Sequence, residues 1–250
     1  MPMLQLKTVA LVNTLDDLEH LPDGKLLINT LNAYSYNNAQ KDPAFAEALL
    51  GGDALLPDGM SIVAACRLIR AHSRPERRIA GWDLFASEMQ RLQRKAEHDG
   101  VRRRVMFLGS SELVLERIVQ RVHADYPLLE VHTCSPPYRA EFTDADNAEM
   151  LDAIHRADPD LLWIGMTAPK QEKWAYAHWS QMNVHCHVGT IGAVFDFYAG
   201  TLRRAPEWMQ RCGLEWLFRL LCEPRRMWRR YIFGNAEFLA RVVGECLKCR

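Results

Sequence analysis

The chain has 250 residues, 48% hydrophobic and 25% charged, enough for one large α/β core or for one domain with an appendage. Its 31 Lys and Arg balance 31 Asp and Glu, which excludes the global positive field of a general nucleic-acid binder. The local distribution is uneven: between Arg203 and Arg230 eight arginines face three glutamates, so that segment carries +5 and the remainder −5.

In chain order, residues 1–24 predict a weak strand (Thr8 to Val12) and a short helix (Leu15 to Leu21). Leu26-Leu27-Ile28 is a buried strand running into the polar turn Asn29-Thr30-Leu31-Asn32. Asp42-Pro43 opens a helix, with Asp capping and Pro at the first helical position, and Gly51-Gly52-Asp53 breaks it. Ala54 to Leu56 is the next strand. Pro57-Asp58-Gly59 is turn chemistry, and an apolar helical pattern (Ile62, Val63, Cys66, Ile69) follows to about Ala71. Asp58 therefore sits on a sharp strand-to-helix turn, where an acid either caps the helix or faces a ligand. Arg78 to Asp83 is a short extended segment before a helix from Leu84 to about His98.

Val105 to Leu108 is a strand, Gly109-Ser110-Ser111 a turn, and the helix after it runs through Val122. Leu129 to Cys134 is a strand and Thr143 to Arg156 a helix. Asp160 to Met166 is a strand, Lys170 to Met182 a helix, and His185 to Gly189 the last strand. Gly189 through Gly200 is apolar and Gly-rich, suited either to close backbone approach by a ligand or to a tight core turn. Strands alternating with amphipathic helices predict βαβ units: a Rossmann-like, mainly parallel α/β sheet with helices on both faces. The texture changes near Gly200, so the expected organisation is a catalytic core over 1–200 and a helical, basic appendage over 201–250.

The turns carry the candidate chemistry. Thr30 and Asn32 are poor strand residues but good partners for sugar or phosphate, unless they satisfy their own turn. Gly109-Ser110-Ser111 is not the dinucleotide-binding glycine fingerprint, and no P-loop is present. Lys170 in a first helical turn opposes the helix dipole, which an anionic ligand would relieve, and Gln171 can present an amide to a sugar or base. In the C-terminal segment Trp208, Trp216, Leu220, Leu221, Trp228, Tyr231 and Phe233 interleave with the arginines. That pattern fits a membrane surface, a phosphate-bearing lipid or a neighbouring subunit. Arginine suits diphosphate because its planar fork makes two parallel hydrogen bonds. Seven cysteines without disulfide rhythm fit free thiols, and Cys246/Cys249 lacks the second pair or nearby His that a structural zinc site needs. No metal signature and no apolar run long enough to cross a bilayer is present. The expectation is a cytoplasmic protein, peripheral on the membrane, without a metal.

Together these stretches resemble the WecG/TagA/CpsF family of bacterial glycosyltransferases, glycosyltransferase family 26. The resemblance is carried by Thr30-Leu31-Asn32; Leu56 to Gly59 with Ile62-Val63; Arg78, Gly81, Asp83 and Leu84; Phe107-Leu108-Gly109; and Pro169 to Glu172. It continues through Gly189 to Asp196, Ala199-Gly200, Arg204-Ala205-Pro206 with Trp208, Gly213 to Trp216, Arg219-Leu220, and Glu223-Pro224 with Arg226. It spans roughly residues 25 to 240, with a slight departure at Thr190-Ile191-Gly192.

The resemblance implies an inverting, metal-independent transfer of a sugar from a UDP donor to a polyprenyl-diphosphate-linked saccharide at the cytoplasmic membrane face. The sugar would be N-acetylmannosamine, its uronic acid or glucose, and no cofactor is needed, since the UDP-sugar is a substrate. It implies Asp58 as general base and Thr30 and Asn32 as positioning partners. Gln171 would be a donor-site residue, and Arg78 and Asp83 further contacts; Gly109, Lys170 and Gly189 complete the expected substrate-binding set. Arg219 and Arg226 would hold the diphosphate, and charge alone adds Arg225, Arg229 and Arg230. Two other readings remain: a nucleotide-sugar epimerase or dehydrogenase, which the missing fingerprint disfavours, and a non-catalytic membrane adaptor or nucleotide-sugar-binding protein. The expected partners are the UDP-sugar, the lipid-linked glycan and the membrane surface, with a second copy in a homo-oligomer as a further option and no nucleic acid.

Overall fold

A computed structural model describes residues 4–211 and 213–248, without the side chains of Glu207, Arg211, Arg226, Arg230 and Lys248. Its elements are α1 (Leu15–Glu19), β1 (Leu26–Leu31), α2 (Ala33–Ala39), α3 (Pro43–Leu50), β2 (Ala54–Pro57) and α4 (Met60–Leu68). Then come α5 (Gly81–Asp99), β3 (Arg103–Gly109), α6 (Glu112–Asp125), β4 (Leu129–Cys134), α7 (Asp144–Ala157), β5 (Leu161–Gly165), α8 (Lys170–Ala177), β6 (His187–Thr190) and α9 (Ala193–Tyr198). The C-terminal segment is helical: α10 (Glu207–Arg211), α11 (Glu215–Cys222), α12 (Pro224–Trp228), a π-helical stretch Arg229–Phe233, and α13 (Gly234–Lys248).

The strands form one six-stranded sheet in the order β2-β1-β6-β5-β3-β4, with every pairing parallel. The expected Rossmann-like α/β fold is what the chain adopts. Strand alternation divides the core. Val105, Phe107, Leu161 and Trp163 pack with α5, α6 and α9 on one face. Met106, Leu108, Leu162 and Ile164 pack with α7 and α8 on the other. Strands buried on both faces are apolar at most positions, which is why they stand out in the sequence.

Several boundaries differ from expectation. Thr8 to Val12 is not a strand. Val9 and Leu11 are buried, but Ser73 serves their backbone: Leu11 N donates to its Oγ (2.9 Å), and Oγ donates to Val9 O (3.1 Å). Only Val12 N reaches the sheet, at Leu55 O (3.1 Å). The long helix begins at Gly81 rather than Leu84, because the Asp83 carboxylate accepts from Ala80 N (2.7 Å) and caps its first turn. Helix α8 stops at Ala177, five residues before Met182. Two helices, α2 and α9, fall where only turns were expected. α2 is rich in Asn, Ser and Tyr and lacks an apolar stripe, and α9 is a short helix inside the Gly-rich stretch.

A third cluster joins the two ends of the chain. Leu4, Leu6, Val9 and Leu11 pack with Tyr36, Phe45, Ile62 and Cys66, and with Phe238 and Val242 of α13. Phe238 meets the Tyr36 ring edge-on, with centroids 5.4 Å apart. Glu245 on α13 accepts from Leu6 N (3.3 Å), Lys7 N (3.2 Å) and the Tyr36 hydroxyl. Asn37 Nδ2 donates to Gly234 O at 2.7 Å. Among the described residues no helix is long and apolar enough to cross a membrane.

Phe238→Ala should therefore cost about 3 kcal/mol of unfolding free energy, the usual range for emptying a buried aromatic site. Urea unfolding followed by tryptophan fluorescence measures it.

Candidate active site

The C-terminal ends of all six strands open onto one cavity of about 1870 Å³. Thr30 is the penultimate residue of β1 and Asn32 follows that strand, Asp58 follows β2, Ser110 follows β3, Ser135 follows β4, Gly165 ends β5 with Met166 next, and Thr190 ends β6 with Ile191 next. The other wall comes from the C-terminal segment, including Arg204, Glu215, Arg219, Asn235 and Phe238.

Backbone hydrogen bonds assemble the part of the site around Asp58. β1 and β2 run in register with Leu31 beside Pro57, and Asp58 N donates to Leu31 O (2.9 Å). Ile79 N donates to Pro57 O (3.1 Å), which brings Arg78 alongside. Asn32 is the N-cap of α2, its Oδ1 accepting from Ser35 N at 3.0 Å. Asp58 makes no such cap. The N-cap of α4 is Gly59, with no side-chain cap bond, so Asp58 is left for the cavity.

The electrostatics are concentrated there. Burial pushes the Asp58 carboxyl up to about 6; Glu215 and Asp83 push the same way, while Arg78 and Arg219 pull it down. Arg78 is ion-paired with Glu215, the first residue of α11, and this pair ties the C-terminal helices to the core across the cavity. The Arg204 guanidinium lies 4.5 Å from the Trp82 ring centroid and that of Arg219 5.6 Å from Phe197. The Nε of each is enclosed without a hydrogen-bond partner. Stacking fixes the two forks and leaves donors for an anion.

Lys170 and Gln171 also line the cavity, but their groups are largely engaged. Lys170 Nζ donates to Arg139 O (2.6 Å) and stands 3.3 Å from the Phe142 ring centroid, so a loop carbonyl and a ring, rather than an anion, answer its place at a helix N-terminus. Gln171 Oε1 accepts from Met166 N and Gly192 N, both at 3.1 Å, and ties together the turns after β5 and β6. Asn29 likewise turns inward: it is fully buried, donates to Ala48 O (3.1 Å) and accepts from Thr190 Oγ1 (2.7 Å).

Thr30, Asn32, Asp58, Arg78, Lys170, Gln171 and Arg219 thus share one cavity. Asp83, Gly109, Gly189, Arg225 and Arg229 are not on its wall. Asp83 is the helix cap described above. Gly109 has φ +122°, and a Cβ on it would stand 2.4 Å from Gly165 O. A Cβ on Gly189 would stand 2.3 Å from the Trp163 ring, so this position makes room for core packing. Arg225 and Arg229 are exposed. The side chains of Arg226 and Arg230, and Cys212 and Cys249, lie outside the described residues.

Sequence reasoning missed Arg204, Glu215 and Glu172 as parts of this wall. All three stand in blocks that carry the family resemblance, but a residue's type does not say which way its side chain faces. Among the described residues, no group of three or more His, Cys, Asp or Glu side chains is placed to hold a metal ion.

Comparison with known proteins bears on this geometry. One relative is an N-acetylglucosaminyldiphosphoundecaprenol N-acetyl-beta-D-mannosaminyltransferase of Bacillus spizizenii, 32% identical over 195 residues, which are 78% of this chain and 70% of the relative. A second, of the same description and from Bacillus subtilis, is 30% identical over 225 residues, covering 89% of this chain and 82% of the relative. The model of the glycosyl transferase WecG/TagA/CpsF family matches residues 2–250. A chain matched over that length belongs to the WecG/TagA/CpsF family of glycosyl transferases.

Proposed function

We propose that the protein transfers N-acetylmannosamine from a UDP donor to a polyprenyl-diphosphate-linked saccharide, with inversion and without a metal. The observation that carries this reading is one cavity in which the half-buried Asp58 carboxylate lies within the field of Arg78, Arg204 and Arg219. The relatives' descriptions support N-acetylmannosamine over its uronic acid or glucose, and a diphosphoundecaprenol-linked acceptor.

In this mechanism Asp58 takes the proton of the acceptor hydroxyl as that oxygen attacks the anomeric carbon. The new C–O bond forms on the face opposite the diphosphate. The old C–O bond breaks with its electron pair leaving on UDP, which inverts the centre. A carboxylate raised to about 6 is a better base than an ordinary one and is still ionised at neutral pH. The arginines neutralise the charge that develops on the departing diphosphate, the part a metal ion plays elsewhere. Thr30 and Asn32, at the strand end beside Asp58, position the sugars.

The C-terminal helices would face the membrane that carries the acceptor. They expose Trp208, Leu221, Phe233, Leu239 and Leu247 together with Arg225 and Arg229, an apolar and basic surface suited to anionic lipid.

The test is UDP release from a panel of UDP-sugars with a short-chain polyprenyl-diphosphate acceptor. Acceptor-dependent release from UDP-N-acetylmannosamine, unchanged by EDTA, is expected. No release from any donor, by folded protein that binds anionic vesicles, would favour an adaptor instead.

Asp58→Asn should lower kcat by at least a hundredfold, while the wild-type rate rises with pH through about 6 as the base ionises. The same variant should gain heat stability. The folded carboxyl titrates above its unfolded value of 3.8, so ionising it opposes folding as pH rises past about 6. Removing that charge should stabilise by about 2 kcal/mol at pH 8 and by little at pH 4, read from melting curves at the two pH values.

Arg204→Ala should cost roughly a hundredfold in kcat, the usual loss for one charged donor at a departing anion, with Arg204→Lys recovering part of it in the same assay.

A further inference from the structure

Glu172 follows Gln171 in the first turn of α8. It is 1% exposed, yet it lines the cavity. Its Oε1 accepts from Gln171 Nε2 at 2.8 Å. Gln171 Oε1 in turn accepts from the amides of Met166 and Gly192, so a run of hydrogen bonds passes from the turns after β5 and β6 to Glu172. It stops at Glu172 Oε2, which is enclosed and has no partner within the protein. An enclosed carboxyl oxygen without a partner is costly, and at a cavity wall an occupant can supply what the fold does not.

The helix N-terminus favours an ionised acid at this position, but burial outweighs it and pushes the carboxyl up to about 7, against the pull of Gln171 and its own amide. The charged groups on the surrounding elements are engaged with one another. Lys173 of the same helix pairs with Asp42 before α3 at 2.9 Å, and Glu47 of α3 is exposed. Asp146 of α7 pairs with Arg139 (3.1 Å), and Lys170 bonds Arg139 O. Asp196 of α9 accepts from the Thr201 hydroxyl (3.1 Å). Among the described residues no ion pair to Glu172 is formed.

We propose that neutral Glu172 is a binding residue of this cavity, donating one hydrogen bond from Oε2–H to an uncharged oxygen, a hydroxyl or amide carbonyl, of the sugar on the donor nucleotide. This assignment rests on the transferase reading above. The sugar is chosen over the diphosphate because the cations that suit a diphosphate stand with Asp58 and the C-terminal helices. Glu172 stands by the turns after β5 and β6, where the described cations, Lys170 and Lys173, are engaged with Arg139 O and Asp42. An ionised Glu172 would lose the donor and repel a phosphate.

The experiment is calorimetric titration of the full chain with UDP-N-acetylmannosamine, and with UDP as the sugar-free control, from pH 6.5 to 8.5, where Asp58, at about 6, is already mostly ionised. Wild-type affinity for the UDP-sugar should fall on the order of tenfold across this window as Glu172 ionises. Glu172→Gln, whose amide donates at every pH, should keep the affinity seen at pH 6.5 and flatten the profile. Glu172→Leu should be weaker on the order of tenfold at pH 6.5, and neither substitution should alter UDP binding. Binding of the UDP-sugar that is independent of pH and unchanged in Glu172→Leu would overturn the role of Glu172 alone. So would a Glu172→Gln variant that melts normally but no longer binds the UDP-sugar, or UDP responding as the UDP-sugar does. Failure of the wild type to bind either nucleotide would overturn this proposal and the transferase reading together.

Discussion

A sheet whose strands all run the same way must place every strand's C-terminal end on one edge. Everything functional in this protein follows from that constraint. Residues far apart in sequence, from Thr30 to Ile191, reach a common cavity because each stands at or just past the C-terminal end of a strand. The backbone then sets their spacing: Leu31 beside Pro57, Asp58 N on Leu31 O, and Ile79 N on Pro57 O. Side chains at such positions inherit the rigidity of the sheet, which a site on free loops would lack.

The second constraint is electrostatic. Asp58 stands in a partly closed space with carboxylates and guanidinium groups on both sides, and Arg78 is shared between its field and the ion pair with Glu215. If Glu215 moved, Asp58 would lose an acidic neighbour and Arg78 would lose a partner, so the C-terminal helices help set the chemistry of a residue on the core. A carboxylate whose charge opposes folding persists where the charge has a use, and the transferase reading gives it one. The same logic applies elsewhere in the cavity, where Glu172 ends a run of hydrogen bonds begun by two backbone amides.

The cavity is closed by a segment that reads as an appendage but shares the core. α13 lends Phe238 and Val242 to the cluster that holds the N-terminal residues, and Glu245 accepts the backbone amides of Leu6 and Lys7. α2, capped by Asn32, lies beneath it. Docking α13 therefore bears on the placement of a residue at the site, and the two ends of the chain are coupled through it.

Buried strands and their turns were legible in the sequence because a strand covered on both faces is apolar at most positions, while the turns after it are polar or Gly-rich. That grammar located β1 to β6 and the turn of Asp58. It failed at Thr8 to Val12, where apolar residues are buried by Ser73 and α13 instead of a ladder, and at α2, whose polar sequence carries no stripe. Family blocks drew attention to Lys170, Gln171 and Gly189, but only the packed structure shows Lys170 held by Arg139 O and Phe142, Gln171 tying two turns, and Gly189 making room for Trp163. By itself the sequence determined the parallel α/β architecture and the strand ends at which polar chemistry would lie, because those depend on local periodicity and turn preference. The tertiary structure alone decided which arginines face the cavity, that Glu215 holds Arg78, and that Glu172 is left with an unpaired oxygen. Those depend on side-chain direction and on burial by elements more than a hundred residues away, which no local pattern encodes.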